Sequence, residues 1–405
     1  MAGSPPSATP QVTVASINQR YELLDSQKGV GTFSRVVVGK EKQSGELRAV
    51  KIMDRTRFSA KDEKYALQEK EILRAVDHPA IVTLYECVNT ADAVYMVMDL
   101  AETDLFNYLI ERGGTPEAPK GLPIAQVRWI TKQLMAAVAY LHDQSIVHRD
   151  IKPENILVCG EDEGAGDNIR IALADFGLAR IIMEEHDVRA TPVGTSFYVA
   201  PEVIRAIEAN GFFPRVSTMQ ELKNIDLWAC GVTIFFLISG LPPFFGQVKK
   251  SRERRELLAQ IDKGVLFPEK QWKGVPEEAK DFVALLLCRD QKHRITARQA
   301  LGHKFLQGLP DVESLPRKVK KSKSFAGNPS LTSPGLGVGS LRSPDGGPAM
   351  SFGAPDTTLL KTAADEFLAE AREEFEEEPA KPRPTGVAAV HAKVAMKPLP
   401  KTMST

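Results

Sequence analysis

Residues 145–158 read SIVHRDIKPENILV, and residues 171–177 read IALADFG. Each stretch joins a polar motif to a short run of β-forming residues, at positions 156–158 and 171–173. Carboxylate and amide oxygens suit Mg²⁺, a lysine can neutralise charge on a transferred phosphoryl group, and a further aspartate can accept a hydroxyl proton. The residue types of the two stretches therefore indicate a site for a metal ion and phosphate groups.

The two stretches contain H-R-D-x-x-x-x-N followed by D-F-G, and in this respect the sequence resembles the protein kinases. A D-F-G triplet by itself occurs by chance in loops, but both motifs in this order, each beside a β-like run, argue against chance. The resemblance covers about residues 20–308 and implies an α+β, bilobal fold with a small β-rich N-lobe and a larger helical C-lobe.

The composition changes at both ends of this region. Residues 1–18 are rich in Pro, Ser, Thr and Ala and are expected to form a disordered N-terminal arm. Residues 19–308 form the expected kinase domain, with an N-lobe over about 19–100 and a C-lobe over about 101–308. Residues 309–405 are rich in Pro, Gly, Ser and charge clusters, which predicts a low-complexity, disordered regulatory tail.

The bulk composition restricts the classes of partner. Of 405 residues, 43% are hydrophobic and 26% charged, and Lys plus Arg balance Asp plus Glu at 52 each. No net field therefore steers the chain to nucleic acid, and we expect no such partner. The four cysteines show no C-x-x-C spacing, which fits reduced thiols in a cytoplasmic or nuclear compartment. We expect no secretory signal, because the N-terminal residues lack a charged region followed by an apolar core. We expect no membrane span, because the longest apolar run, residues 229–238, is too short.

Residues 29–36 read GVGTFSRV and follow the kinase pattern G-x-G-x-x-G-x-V, with Ser34 in place of the third glycine. Glycine lets backbone N–H groups approach phosphate closely. A plain hairpin is the alternative, but the turn stands just before AVK at residues 49–51, where the kinase lysine is expected. The resemblance assigns to nucleotide binding Gly29, Val30, Gly31, Thr32, Phe33, Ser34, Val36, Ala49 and Leu157.

Lys51 is the residue that the resemblance assigns to the α- and β-phosphates, paired with Glu69. Residues 62–76 show helical spacing of apolar residues amid many charges, which places Glu69 on the helix that follows the strand of Lys51. A solvated Glu69 on the outer face of that helix is the alternative. Ile72 and Leu73 mark the inward face and favour the pair with Lys51.

Residues 95–101 read YMVMDLA and are expected to lead into the hinge between the lobes. By resemblance, Met98 is the gatekeeper beside the adenine, and the backbone of Asp99 and Ala101 hydrogen-bonds the base. The alternative for Met98 is a plain core side chain. Asp104 is expected to reach the ribose or a basic residue of the substrate.

The resemblance also assigns the catalytic roles. Asp150 orients the acceptor hydroxyl and takes its proton, and Lys152 stabilises the γ-phosphoryl group. Asn155 and Asp175 hold Mg²⁺, so ATP and Mg²⁺ are the expected cofactors. Thr195, in a Gly-Thr pair, is expected beside the lysine and aspartate of the catalytic loop. Lys152 and the Gly-Thr pair imply protein substrates with Ser or Thr rather than Tyr acceptors.

The residues after D-F-G form the expected activation segment, which closes with Ala-Pro-Glu. Phosphorylation of Thr191 by an upstream kinase would order this segment by bonding Arg149. The alternative is an ordinary loop threonine that precedes a proline. Two structural roles are also expected by resemblance: Asp226 bonds to the backbone of the catalytic loop, and Arg294 is buried against Glu202.

The sequence is similar to the calcium/calmodulin-dependent protein kinase group in three features. They are Ser34, the sequence of residues 226–243 and a basic run just past the domain. The basic run, residues 317–325, reads RKVKKSKSF and is a candidate to bind calmodulin, an acidic partner or a nuclear import factor. Residues 359–378 space apolar residues along one face of a predicted acidic amphipathic helix.

Two other functions stay open at this point. A pseudokinase scaffold is disfavoured by the complete set of motif residues, but nucleotide binding without turnover would revive it. A tail-based signalling adaptor would use the Ser-Pro sites at Ser333 and Ser343. For an active kinase, Glu154 and Asp104 are candidates to receive arginines upstream of the acceptor, which predicts a basophilic specificity.

Overall fold

The structure, a computed structural model, describes residues 14–30, 34–112, 120–161, 169–181, 196–210, 218–248 and 250–315. Several expectations from the sequence fall outside these ranges. They concern Gly31, Thr32, Phe33, Thr191, Thr195, the basic run 317–325 and the acidic helix expected at 359–378.

The N-lobe is built on one antiparallel sheet of five strands in the order β1-β2-β3-β5-β4. The strands are β1 (Tyr21–Val30), β2 (Ser34–Glu41), β3 (Leu47–Asp54), β4 (Leu84–Asn89) and β5 (Ala93–Met98). The runs of β-forming residues at 21–24, 35–40 and 47–53, separated by turns, predict an antiparallel meander of the first three strands, and this prediction is confirmed. The apolar residues of 81–87 predict a fourth strand that starts at Ile81, and this start is wrong, because Ile81 instead makes an isolated parallel bridge to Leu173 and β4 begins at Leu84.

Two helices complete the N-lobe, α1 (Val14–Arg20) and α2 (Ala60–Ala75). Ile17 of α1 is buried and packs in a small apolar cluster with Val50 and Val97 of the sheet. The expected disorder of residues 1–18 therefore does not hold from Val14 onward. The polar composition of this arm conceals one isoleucine whose burial against the sheet orders the helix, since tertiary packing supplies most helix stability.

The C-lobe is helical, with one long apolar helix at its centre. Its helices are α3 (Leu105–Glu111), α4 (Ile124–Asp143), α5 (Pro201–Asn210), α6 (Met219–Ser239), α7 (Ser251–Lys263), α8 (Glu269–Trp272), α9 (Glu277–Leu286) and α10 (Ala297–Leu301). Helix α6 has a mean hydropathy of 1.4 and is long enough to cross a membrane, but 83% of its apolar window is buried inside the C-lobe. It is apolar on all sides because it is surrounded by protein.

Sequence signals set the ends and the packing of α6. Thr218 and Glu221 form a capping box at its start, and Gly240 ends it in the left-handed region with φ of 76°. Gly231 lies where α6 meets the end of α9, and an added Cβ there would stand 2.9 Å from Leu286 and Leu287. Gly231, the last residue of the D-x-W-x-x-G stretch at 226–231, therefore permits the two helices to approach closely.

Short strands place the catalytic segments between the lobes. They are β6 (Thr103–Asp104), β7 (Ile146–Val147), β8 (Ile156–Glu161), β9 (Ile169–Leu173) and β10 (Arg180–Ile181). Strand β8 pairs with β6 and β9, and β7 pairs with β10. The H-R-D motif thus follows β7, whereas D-F-G follows β9. The last described element is a turn of 3₁₀ helix at Val312–Ser314 with Val312 buried, so the folded region extends past the predicted boundary at residue 308.

Candidate active site

An ion-pair chain crosses the cleft between the lobes. Lys51 Nζ on β3 lies 2.6 Å from Glu69 Oε1 on α2 and 3.5 Å from Asp175 Oδ1 of the D-F-G motif. Glu69 is only 3% exposed, which rules out the alternative of a solvated helix face. Burial alone would lower the pKa of Lys51, but the Glu69 and Asp175 carboxylates outweigh it and raise that pKa above its usual value. The lysine therefore stays an ammonium that faces the cleft.

The D-F-G turn directs the Asp175 carboxylate into the cleft. Asp175 has φ of 61° and ψ of 76°, a left-handed conformation that is unfavourable for a residue other than glycine. The next side chain, Phe176, is fully buried and meets the ring of His148 edge-on at 4.9 Å. This burial holds the strained turn in place. The nearby Lys51 ammonium lowers the pKa of Asp175.

In the catalytic loop, two predicted residues contact the carboxylate of a third, Asp150. Lys152 Nζ lies 2.9 Å from Asp150 Oδ2, and Asn155 Nδ2 donates to the same oxygen at 2.8 Å. Asn155 also donates to the backbone oxygen of Asp150 at 2.7 Å. Burial alone would lower the pKa of Lys152, but Asp150 outweighs it and raises that pKa. The loop therefore presents a fixed aspartate beside a charged lysine.

Asp226 on α6 fastens this loop from below. Its two carboxylate oxygens accept the backbone N–H of His148 at 2.9 Å and of Arg149 at 2.7 Å. Its Oδ2 also lies 2.9 Å from His142 Nε2. Burial by itself would raise the pKa of Asp226, but the His142 contact and these backbone bonds lower it. Arg149 is held with φ of 70°, so the anchor also fixes a strained position next to Asp150.

Cross-strand register places the expected adenine pocket. Ala49 pairs with Met98, and Lys51 pairs with Met96. Directly opposite residues share a face of the sheet, as do residues two apart on one strand. Ala49 and Met98 therefore lie on the face from which Lys51 reaches the cleft. Met98 is half-buried and packs against the main core, so the structure allows both of the roles considered for it.

The hinge residues differ in what they can offer to a base. The N–H of Asp99 donates to the backbone oxygen of Thr83 at 3.2 Å, so of its backbone groups the carbonyl remains for a base. The Asp99 carboxylate accepts the N–H of Thr83 at 2.9 Å and the hydroxyl of Tyr85 at 2.6 Å. This ties the hinge to β4. Ala101 follows in the hinge and is half-buried.

Asp104 caps a helix beside the cleft. Its carboxylate accepts hydrogen bonds from the backbone and side chain of Asn107 at 2.9 and 2.5 Å, and this fixes the start of α3. Asp104 pairs with Leu157 in register, so strand β8 brings these two expected nucleotide contacts together. Burial raises the pKa of Asp104.

The glycine-rich turn is described only at its two ends. Gly29 lies opposite Val36, and Val36 in turn lies opposite Lys51, so the turn starts beside the ion-pair chain. Val30 is the last residue of β1, and Ser34 is the first of β2. The middle of the turn lies outside the described residues.

Two contacts near the activation segment complete the site. Arg294 donates to both carboxylate oxygens of Glu202 at 2.7 and 3.0 Å, the buried pair that the motif predicted. Tyr198, which the sequence did not single out, stands near Glu154 and Asp150, and burial raises the pKa of its hydroxyl. Its position two residues before Ala-Pro-Glu is the signal by which the sequence could have identified it.

Two histidines, His142 and His148, have roles in the site that the motifs did not predict. His148 Nε2 lies 3.0 Å from the backbone oxygen of Ala174, and His148 and His142 both stand against Asp226. Their signal was position, because His148 precedes the catalytic Arg-Asp pair and His142 lies in the last turn of α4, the helix that leads to this pair. They connect the two motifs to α6 and the cleft.

Comparison with known proteins agrees with this geometry. The family model described as protein kinase domain matches residues 24–306. Myosin light chain kinase A of Dictyostelium discoideum is 34% identical over 296 residues, which cover 73% of this chain and 90% of that protein.

Two further relatives are named calcium/calmodulin-dependent protein kinase type 1. The one from Macrobrachium nipponense is 34% identical over 317 residues, covering 77% of this chain and 83% of that protein. The one from Caenorhabditis elegans is 33% identical over 297 residues, covering 73% and 76%. The chain therefore belongs to the protein kinase family, as a serine/threonine kinase similar to the calcium/calmodulin-dependent group.

Proposed function

We propose that this kinase uses Mg²⁺ with ATP, prefers acceptors with upstream arginines, and is controlled through Thr191 and the tail. The observation that carries the catalytic part is the chain of contacts from Glu69 through Lys51 to Asp175. It joins an ammonium of the N-lobe to a carboxylate of the C-lobe across one cleft. Such a pair is the arrangement that active kinases need for phosphoryl transfer.

The oxygen donors at the base of the cleft fit Mg²⁺. Asp175 offers a carboxylate that is 52% exposed, and Asn155 uses its Nδ2 for both bonds to Asp150, which leaves Oδ1 as the ligating atom. Over the described ranges no three His, Cys, Asp or Glu side chains cluster as metal ligands. Most ligands would therefore be phosphate and water oxygens, as is usual for this ion. When bound, Mg²⁺ would supply neutralisation of charge on the β- and γ-phosphates.

The residues of the catalytic loop divide the remaining work. Asp150, held by Lys152 and Asn155, is placed to orient an acceptor hydroxyl and accept its proton. Lys152 stays charged and can follow the phosphoryl oxygens as negative charge develops. Lys51 holds the phosphates of the bound nucleotide from above. Positioning and electrostatics therefore account for most of the proposed catalysis.

An acidic pocket supports the preference for upstream arginines. The Oε2 atom of Glu154 is buried and has no hydrogen-bond partner within the part of the chain that the structure describes. Burial raises its pKa, and the nearby Asp104 and Asp150 carboxylates act in the same direction. An arginine of the substrate would neutralise this cluster and supply the missing donor, since guanidinium matches carboxylate geometry.

Control through the activation segment and tail is supported by sequence alone. Phosphorylated Thr191 would bond Arg149, which the structure places beside Asp150. The basic run 317–325 is the candidate for calmodulin, a proposal supported by relatives whose names include that protein. The four free cysteines support a cytoplasmic location, and the basic run supports a nuclear one as well.

The test is a phosphorylation assay of the full chain with MgATP. Matched serine peptides with and without upstream arginine are compared, each with and without Ca²⁺–calmodulin. Transfer to serine that increases with upstream arginine supports the proposal, and nucleotide binding without transfer would support the pseudokinase instead. An equal rate for both peptides would refute the arginine preference, and an unchanged rate with calmodulin would refute calmodulin control.

A further inference from the structure

A short segment beyond the predicted domain boundary runs along the back of the C-lobe. Arg128 of α4 donates to the backbone oxygens of Phe305 and Gln307 and fastens the chain as it leaves α10. Val312 is then 1% exposed, and Leu309 and Leu315 pack against the main core. We call residues 311–315 the strap. Its buried valine shows that it is part of the folded domain.

The strap meets the loop between α2 and β4. Glu313 Oε1 lies 3.6 Å from Nε2 of His78, whose side chain is fully buried. The His78 ring stands 5.2 Å from the ring of Tyr140, and the Tyr140 hydroxyl accepts the N–H of Asp77 at 2.9 Å. Burial and the neighbouring Glu313 carboxylate both raise the pKa of Tyr140. Strap, α4 and this loop therefore meet at one point.

The same loop is joined to the two segments that carry the carboxylates facing Lys51. Ala80 accepts the N–H of Leu173 at 2.9 Å, and Val82 donates to the Leu173 oxygen at 3.0 Å. Leu173 is the last residue of β9 and lies two residues before Asp175. In the other direction the loop continues from α2, which carries Glu69. The loop is therefore connected to both of the elements that carry the carboxylates facing Lys51.

We propose that the strap is a positioning element for phosphoryl transfer, in which Val312 and Glu313 hold the α2–β4 loop so that Glu69 and Asp175 stay against Lys51. The inference rests on the roles proposed above for those three residues. Val312 supplies the apolar anchor, since it is buried in the main core and its turn packs against α4. Glu313 contacts the neutral His78 ring at 3.6 Å and so limits the movement of the loop through packing rather than through an ion pair.

The test compares Val312→Asp with the matched control Val312→Ile in the full chain. A buried carboxylate at this position is unfavourable and releases the strap, whereas isoleucine keeps the apolar anchor. We expect Val312→Asp to raise KM for ATP and lower kcat, each by about fivefold, so that kcat/KM falls by about 25-fold, or roughly 1.9 kcal/mol, which is within the range of such couplings. KM for the peptide should stay unchanged, since the acceptor site lies on the C-lobe. Val312→Ile should behave as wild type.

A second background separates positioning from general packing. In Glu69→Gln, where the pair with Lys51 is already weakened, Val312→Asp should reduce the transfer rate no further, because both changes act through one contact. Full additivity of the two changes would overturn the proposal, as would unchanged ATP kinetics in Val312→Asp. If Val312→Asp does not fold, Glu313→Gln is tested in its place. We expect a smaller rise in KM for ATP in this variant, and an unchanged KM would contradict the role of Glu313.

One measurement does not depend on catalysis. Amide hydrogen exchange of Val312→Asp should become faster in residues 76–83, in α2 and in the part of α4 under the strap, with α6 unchanged. Uniform acceleration over the whole C-lobe would show a general loss of stability and refute the positioning role. A wild-type chain that transfers no phosphate would instead refute the proposed function. The exchange measurement would still show whether the strap holds the α2–β4 loop.

Discussion

Arg294 and Glu202 form a buried, two-bond ion pair between the start of α5 and the loop that precedes α10. Both guanidinium nitrogens Nη1 and Nη2 donate, at 2.7 and 3.0 Å, and the Arg294 side chain is fully buried. Arg294 also donates to the backbone oxygens of Asn224 and Cys288 and lies over the ring of Trp228. One arginine thus joins the end of the activation segment to α6.

Replacement of Arg294 by alanine should destabilise the C-lobe strongly. The change leaves the Glu202 carboxylate and two buried carbonyls without their donor, which typically costs about 3–5 kcal/mol. Urea unfolding followed by tryptophan fluorescence measures the loss, because Trp228 and Trp272 are buried in this lobe. Arg298→Ala is the matched control, since its pair with Asp143 is largely exposed and should contribute less than about 1 kcal/mol. Equal losses would contradict the structural role.

Lys51→Met should abolish turnover and leave the fold intact. The methionine keeps the length of the side chain but removes the charge that faces Glu69 and Asp175, so transfer should fall by at least about 100-fold. Steady-state kinase assays measure the loss, and circular dichroism checks the fold. Lys64→Met, on the exposed side of α2, is the control and should retain activity. Wild-type rates in Lys51→Met, with contaminating kinase excluded, would contradict the assignment of this lysine.

Asp175→Asn should separate metal use from nucleotide binding. The amide keeps the shape of the carboxylate but is a weaker ligand for a hard cation, so activity should be lost at ordinary Mg²⁺ concentrations. ATP titrations with and without Mg²⁺ measure the effect. In wild type the metal should tighten nucleotide binding, and in Asp175→Asn this gain should largely disappear. An unchanged response to Mg²⁺ would remove Asp175 from the metal site.

Local pattern was sufficient where short-range physics decides the structure. Alternating apolar residues predicted β1 to β3, and helical spacing placed Glu69 on a helix whose inward face is marked by Ile72 and Leu73. The motifs also predicted the partners Lys51 with Glu69 and Arg294 with Glu202, because each motif residue belongs to a fixed family geometry. The strands and the helix needed only local pattern, whereas the two ion pairs needed the resemblance to the family.

Distant packing explains what the sequence did not reveal. Helix α1 and the strap stand in segments of polar, proline-containing composition, and each is ordered by a single buried side chain, Ile17 or Val312. No periodicity marks one isolated apolar residue. The engagement of the Asp99 N–H by Thr83 and the start of β4 at Leu84 likewise depend on tertiary pairing, which a strand pattern alone does not contain.

The stability of the wild-type chain should fall as the pH decreases from about 6.5 to about 4, in part because of His78. Burial lowers the pKa of this histidine to about 4, below the ordinary value of 6.5 that it regains on unfolding. Between these values the unfolded state binds a proton that the folded state does not, so acid favours unfolding. Below about pH 4 both states are protonated and this contribution stops changing.

His78→Asn should reduce that pH dependence, because asparagine can accept the N–H of Ala80 in place of Nδ1 but does not titrate. The difference in unfolding free energy between pH 7 and pH 4 should shrink by about 2–3 kcal/mol. Denaturant melts at several pH values measure it. His293→Asn is the control, since that ring is about half exposed. The same slope in wild type and His78→Asn would contradict a neutral buried histidine.

Glu154→Gln should remove the preference for upstream arginine without loss of the chemistry. The buried Oε2 atom is the unsatisfied acceptor near Asp104, and an amide cannot pair with guanidinium as a carboxylate does. KM for an arginine-containing peptide should rise by about tenfold, the effect of roughly 1.4 kcal/mol, whereas a matched peptide without the arginine should show little change. Similar changes for both peptides would show that Glu154 supports the loop rather than the substrate, because the arginine is then not its partner.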